Sequence, residues 1–312
     1  MSNTKIIGIC DINTAASNEC ALFAAPFFVD YTELLREISP EIVCVCTPNN
    51  MHAPIALAAL EAQSHVIIEK PMALAKADCE SLIMKALEVQ RHVFCVMQNR
   101  YSPPAAWLKN VINQKILGRV FMVQVNCYWN RDDRYYKNTS WKGKLATDGG
   151  PLFTQFSHFI DLLYWLFGDI KIQNTCFYNY NHRHNTDFED SGIVQFAFIE
   201  GGGMGCINYS TAVWDANLES SITIIAENGS IKVGGQYMDK VEYCHIKDYT
   251  MPSLLPAAPP NDYGAYKGSA ANHHFVFENV LATLDGQAIA TTNAIEGLKV
   301  VDIIERIYTN RI

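Results

Sequence analysis

Over the first hundred residues, short β-branched apolar runs alternate with helix-length segments, and that rhythm admits few folds. Residues 5–10, 27–29, 42–46, 65–68 and 92–97 read as strands, and 13–24, 31–38, 51–62 and 75–90 as the helices between them. Strand, helix and strand in succession close as right-handed crossovers, which predicts an α/β chain with a parallel, doubly wound sheet. Two of these strands stop at polar loops, Thr47-Pro48-Asn49-Asn50 and Glu69-Lys70-Pro71. In open α/β sheets, ligands bind at that carboxyl edge.

After residue 100 the rhythm changes. A helix at 103–112 leads into a strand-like stretch at 121–129, a polar aromatic loop at 130–145 and a strongly apolar helix at 151–167. From 170 to 246, strand follows strand, with turn signals at Glu200-Gly201-Gly202-Gly203 and Glu227-Asn228-Gly229. This predicts a large, open, mostly antiparallel sheet with one face against helices. The glycines between 201 and 205 lie between strands and open no helix, so they read as a hairpin turn and not a phosphate loop. A Pro-rich connector at 251–262 precedes two closing helices, 272–284 and 293–309. The expected division is residues 1–100 and an α+β domain over 101–312, with the closing helices packing back toward the first domain.

A chain of 312 residues is long enough for about two domains. Apolar residues make up 49% and charged residues 18%, enough to build sizeable cores. The net charge is -8 and the 24 basic residues are scattered, which disfavours a nucleic acid or a membrane surface as partner. A local Arg/Lys cluster can still bind an anionic ligand. None of the ten cysteines forms a C-x-x-C pair. Cys10, Cys44, Cys46, Cys95, Cys127 and Cys206 sit in strand-like runs and read as small buried thiols in a reducing compartment. With no signal-peptide pattern and no membrane-length apolar run, a soluble cytoplasmic protein is expected.

Five places can carry chemistry, and each also has a plain structural reading. Asp11 ends the first strand, where an acidic residue accepts from the adenosine ribose of NAD and repels a 2′-phosphate; it can equally cap the next helix. Lys70, held beside a proline, can stabilise a developing alkoxide, or it is a solvated loop lysine. His158 lies four residues after Thr154 and three before Asp161 on the apolar helix; it suits proton transfer, or it is a core histidine. The loop with Arg131, Arg134, Tyr135, Tyr136, Lys137, Trp141, Lys142 and Lys144 suits an anionic sugar or nucleotide, or is simply solvated. His182, His184 and His273 raise a zinc-hydrolase reading, but their spacing does not match a ligand set, and no metal is expected.

Taken together, these motifs resemble the Gfo/Idh/MocA oxidoreductase family: CDIN (Cys10–Asn13), TPNNMH (Thr47–His52), HVIIEKPMAL (His65–Leu74), QNRYSPP (Gln98–Pro104), DGGPLFTQFSHFIDLLYWLFG (Asp148–Gly168) and TTNAIEGLKVVDIIERIY (Thr291–Tyr308). The resemblance covers essentially the whole chain. It implies a Rossmann domain followed by an open-sheet domain, bound NAD, and a homodimer or homotetramer formed through the open sheet. It also implies Lys70 and His158 as the catalytic pair, with Asp11, Thr47, Asn49, His52, Glu69, Lys70 and Asn99 on the cofactor. Arg131, Tyr136, Trp141, Lys142, Thr154 and Gln155 would face the substrate.

The 130–168 stretch is most similar to the branch that oxidises the 3-hydroxyl of UDP-N-acetylglucosaminuronate for surface-polysaccharide synthesis. A dehydrogenase of a free sugar or polyol is the alternative within the family, and a non-catalytic relic the alternative outside it. Two departures stand out. Many relatives place a carboxylate where this chain has Thr154, which shifts the work to Lys70 and His158, with Gln155 as an orienting group. The family also opens with a strand and a G-x-G-x-x-G loop, whereas Met1 stands just before the CDIN strand. The expectation is therefore an N-terminally incomplete Rossmann sheet in a chain that begins late.

Overall fold

In the computed structural model, which describes residues 4–137, 139–264 and 266–310, the chain divides into two compact units. One comprises residues 1–96 and 278–298, the other 97–277 and 299–312.

In the first unit, β1 (Ile9–Cys10), α1 (Ser17–Cys20), β2 (Phe27–Phe28), α2 (Tyr31–Ile38), β3 (Ile42–Val45), α3 (His52–Glu61), β4 (His65–Ile68), α4 (Lys76–Glu88) and β5 (Val93–Cys95) follow one another. Local chemistry sets α2 to the residue. The Asp30 side chain accepts from Thr32 N–H, and Ser39 ends the helix in the left-handed region. Residues 13–24, expected as one helix, instead form the short α1 between two 3₁₀ turns, the first capped by the Asn13 side chain.

The named strands of this unit pair in parallel, as the crossovers require. The sheet is in two pieces, β1–β2 and β3–β4–β5. Val66, Ile67 and Ile68 of β4 are buried, α3 packs on β4 and α4 on β5, so the middle strand of the larger piece is covered as a parallel strand must be.

The second unit holds α5 (Pro103–Asn113), β6 (Val120–Tyr128), α6 (Asp133–Tyr136), α7 (Leu145–Asp148), α8 (Pro151–Thr154), α9 (Ser157–Phe167), β7 (Ile170–Tyr178), β8 (Ser191–Phe198), β9 (Met204–Ser210), β10 (Glu219–Ala226), β11 (Gly229–Gly234) and β12 (Lys240–Ile246). Strands β6 to β12 form one seven-stranded sheet in the order β12-β11-β10-β6-β9-β8-β7. Its pairs are antiparallel except β6 with β9. Alternation assigns the faces: Val123, Val125, Val194, Phe196, Ile207, Ile222, Ile224, Ile231 and Val233 are buried, while Met122, Ile193, Met204, Ile225 and Tyr243 are exposed.

The Pro-rich connector ends in a hairpin that composition did not reveal, β13 (Pro260–Asp262) with β14 (Lys267–Ala270). Two helices close the chain, α10 (His273–Leu284) and α11 (Ala294–Thr309). Among the described residues, no helix is long and apolar enough to cross a membrane.

Candidate active site

In the first unit, the polar groups expected at the cofactor gather at the carboxyl ends of β3 and β4. The strands end at Val45 and Ile68, so Thr47, Asn49, Glu69 and Lys70 fall in the loops that follow. Asn49 is buried in a 3₁₀ turn. The buried Thr47 Oγ1 and Asn50 Oδ1 have no hydrogen-bond partner. Orphaned buried polar atoms are rare in folded proteins and mark a place where a ligand or water completes the set. Glu69 and Lys70 are half-buried, and the Glu69 carboxylate accepts from the Lys70 backbone N–H at 3.2 Å.

His52 departs from its expected role. The ring is 1% exposed, with Nδ1 2.6 Å from Pro71 O and Nε2 2.9 Å from Thr47 O. Burial depresses the pKa of the ring, and the neutral ring donates its one N–H to one of these carbonyls. His52 thus sits between the loops that follow β3 and β4. Asp11 is exposed, and its Oδ1 accepts from Asn13 N–H at 2.8 Å, closing a local turn.

Cys95 and Cys127 are buried as expected, but other cysteines differ from expectation. Cys44 and Cys46 are exposed and not buried. The protein around their sulfurs still desolvates them, and with Glu69's charge second this pushes the thiols up to about 11 and about 12. Neither supplies a thiolate near neutral pH.

In the second unit, a buried 3₁₀ turn, Gln98–Tyr101, carries Asn99. The Gln98 Oε1 and Asn99 Oδ1 atoms are buried with no partner. Arg100 from the same turn forks onto Asp161 of α9, Nε to Oδ2 at 2.8 Å and a terminal nitrogen to Oδ1 at 2.5 Å, with both side chains out of solvent. That pair ties the turn bearing Asn99 to the helix bearing His158, which is 2% exposed in the first turn of α9.

The helix expected over 151–167 is broken. Its carbonyl at Pro151 accepts from both Gln155 N and Phe156 N at 2.9 Å, so the turn widens and α8 stops at Thr154. Thr154 and His158 therefore belong to different helices and share no helical face. The Thr154 hydroxyl lies within hydrogen-bond reach of both the carboxylate and the carbonyl of Asp148, so its partner lies N-terminal to α8.

The cationic aromatic loop is a packed cluster. Arg131, expected to face the substrate, is 3% exposed. Its guanidinium donates to Asn130 O, Asn217 Oδ1 and Lys267 O, and it lies over the rings of Trp129, Tyr135 and Tyr266. It organises the cluster from inside. Lys142 is half-buried, 3.9 Å from the Tyr135 ring centre, and donates to Tyr266 Oη at 3.2 Å. Tyr136 is buried against Tyr135 and His182, while Trp141 is half-buried. Gln155 Nε2 donates to Tyr135 Oη at 3.0 Å, leaving its buried Oε1 with no partner. The structure therefore brings Lys142, Gln155 and Arg131 together around two tyrosines.

Comparison with known proteins decides the family. Residues 1–97 match the family model described as an oxidoreductase family with an NAD-binding Rossmann fold, and residues 106–232 match the Gfo/Idh/MocA C-terminal domain. The chain belongs to the Gfo/Idh/MocA oxidoreductase family.

Among solved Gfo/Idh/MocA structures, the chain is similar to the WlbA dehydrogenase of Chromobacterium violaceum in complex with NADH and UDP-GlcNAcA. Identity is 30%, the TM-score is 0.87, and 99% of this chain and 86% of that one are covered. The corresponding complex from Bordetella pertussis gives 29% identity and a TM-score of 0.85, over 98% of this chain and 88% of that one. Among curated relatives, inositol 2-dehydrogenase of Salmonella paratyphi B is 29% identical over 174 residues, 54% of this chain and 48% of that protein. The chain spans about half the length of the first curated relatives it matches.

Two site features, Tyr266 and Asp148, escaped reading by sequence. Tyr135 and Tyr266 frame Lys142, yet Tyr266 lies 124 residues further along the chain. Asp148 was visible only as the start of a helix signal, and it is fully buried. Among the described residues, no group of three His, Cys, Asp or Glu side chains could hold a metal ion, so His182, His184 and His273 form no zinc site there.

Proposed function

We propose that this chain is an NAD-dependent dehydrogenase that oxidises a sugar hydroxyl, C3 of a UDP-linked N-acetyl-amino-sugar uronate. The observation that carries the substrate reading is the cluster of Lys142 on Tyr135 and Tyr266, beside the free acceptor of Gln155. A cation on aromatic faces suits a uronate or diphosphate together with a planar base. Similarity across nearly the whole chain to two structures that hold NADH and UDP-GlcNAcA supports the same reading.

The residues fit the cofactor. The unpartnered Thr47 Oγ1 and Asn50 Oδ1 in one unit, and Asn99 Oδ1 in the other, are acceptors for ribose and amide groups. Bound NAD would take the hydride from the carbinol carbon. Lys70 donates to the oxygen as its negative charge develops, and His158 takes the hydroxyl proton. Asn99, on the turn anchored to α9 by Arg100, orients the ligand beside His158's helix. The enzyme works in the cytoplasm, where its free cysteines stay reduced.

The similarity to inositol 2-dehydrogenase favours a second reading, a free polyol as substrate. Saturation kinetics with NAD separate the two. The first reading expects kcat/KM for UDP-N-acetylglucosaminuronate to exceed that for myo-inositol by about 100-fold or more, since the nucleotide adds contacts that the polyol lacks. Equal or reversed values would replace it with the second.

The exposed face of the seven-stranded sheet, with Met122, Ile193, Met204, Ile225 and Tyr243, is proposed as the contact between two copies. Light scattering after gel filtration should give a dimer or tetramer for the native chain and a monomer for Ile193→Lys/Ile225→Lys. An unchanged mass for the double variant would rule the face out.

A further inference from the structure

The Asp148 carboxylate is a fully buried acid that the proposed chemistry leaves unused, and it sits at a junction. One oxygen accepts from Gly143 N–H at 2.8 Å, and the other accepts from the Thr154 hydroxyl. Gly143 follows directly on Trp141 and Lys142, the loop residues read as facing the sugar, while Thr154 ends α8 two residues before α9 begins its approach to His158. The loop is also held at Thr147, whose hydroxyl donates to Trp141 O at 2.7 Å. Between these contacts, Gly149 and Gly150 both take positive φ. A Cβ on Gly150 would stand 2.7 Å from Tyr308 Oη, so the turn is pinned from the side of α11 as well.

We propose that Asp148 is a positioning residue, whose carboxylate ties the loop at 141–144 to the end of α8 and so holds Lys142 and Trp141 in place for the sugar. The inference rests on the sugar-dehydrogenase reading above. It names the group that orders this region.

The tie depends on charge. An ionised carboxylate accepts from both partners in charge-assisted bonds, whereas a protonated one keeps Thr154 only by donating to its hydroxyl and holds Gly143 N–H through a neutral, weaker acceptor. Burial raises Asp148 to about 6, against the lowering pull of its hydrogen bonds and of Lys142. The other titratable groups here are Tyr135 and Tyr136 on α6 and Tyr308 on α11, all pushed upward by burial first, with the Asp148 charge adding to it. Behind them stand Glu189, bonded to Tyr308, His182 against Tyr136, and Asp187, which accepts from Leu145 N–H. Burial keeps His182 low, so Asp148 is the group here that changes state near pH 6.

The two pH effects have opposite signs. The folded-state pKa is raised, so the stability it contributes is present at low pH and is lost as the pH rises from 3.8 through about 6. Sugar binding gains over the same window, because the carboxylate forms. A purely structural acid would show the first effect and not the second.

The test is Asp148→Asn, assayed from pH 5 to 9 with NAD and UDP-N-acetylglucosaminuronate. The native enzyme should lose kcat/KM below a midpoint near pH 6. At pH 7.5 the variant should show KM for the sugar raised about 10- to 100-fold, kcat within about threefold and Tm within about 3 °C, and the acid limb should be gone. An unchanged KM with the limb intact would overturn the proposal.

A second measurement needs neither turnover nor the variant. Trp141 emission in the native protein, assigned by difference from Trp141→Phe, should titrate near pH 6. A flat emission from pH 5 to 8 overturns the proposal even if the asparagine variant does not fold. If the UDP-sugar is not turned over but the emission titrates, the substrate reading fails while the Asp148 tie stands.

Discussion

Asp161→Asn will cost the protein about 3–5 kcal/mol of stability, the usual range for removing one partner of a buried pair. Arg100 and Asp161 are joined by two hydrogen bonds, at 2.8 and 2.5 Å, and solvent reaches neither side chain. Once the carboxylate is gone, the guanidinium keeps its desolvation cost and loses the charge that offset it. Its contact with Trp165, 5.2 Å from the ring centre, replaces only part of that. For a unit of roughly two hundred residues, a loss of this size lowers Tm by about 10 °C or more.

The pair itself adds less than its breaking removes. The double variant Arg100→Met/Asp161→Leu should therefore recover most of the loss. It should also recover sugar turnover poorly, because the turn with Asn99 is no longer keyed to α9. Calorimetry on the native chain, both single variants and the double variant makes the comparison. A single-variant Tm within 2 °C of native would show that the buried fork is not what holds this region.

The legible parts of this fold were those in which a few neighbouring residues decide the outcome. Asp30 and Ser39 cap α2 locally, and β4 is a short apolar run between polar stops, so both were read to the residue. The break between α8 and α9 was not, because it arises where the Pro151 carbonyl accepts two N–H groups, and nothing in the composition of 151–167 announces that. The β13–β14 hairpin was hidden by the prolines around it, since Pro259 contributes only its carbonyl, to Ala271 N–H. His52 belonged to a motif that points at the cofactor, yet its Nδ1 is taken by Pro71, 19 residues further along. Arg131 looked like an anion ligand for the same reason: its three acceptors lie on Asn130, Asn217 and Lys267. Residue type and position along a strand can be read from sequence. Which polar atoms are spent on the protein and which are kept for a ligand is decided by distant segments.

Lys70→Met and His158→Asn are each expected to lower kcat by about 10²–10⁴-fold while leaving NADH binding, followed by quenching of protein fluorescence, within about threefold of native. Proton handling helps only in the transition state, so losing it should appear in kcat more than in the sugar's KM. Met at position 70 keeps the length of the side chain and removes its donors. Asn at position 158 keeps a polar group but gives up a proton acceptor that works near neutral pH.

Lys70 and His158 act on the same hydroxyl group in this proposal, one stabilising its oxygen and the other taking its proton, so their effects should not add. Lys70→Met/His158→Asn should be little worse than the more damaged single variant, as for groups that work as a unit. Two independent, multiplying losses would mean that one of the residues only supports the fold. Retained turnover within about tenfold in either single variant would remove that residue from the chemistry. A native chain that binds NADH but turns over no sugar would favour the non-catalytic reading of the family resemblance, and the same fluorescence titration would show it before any variant is made.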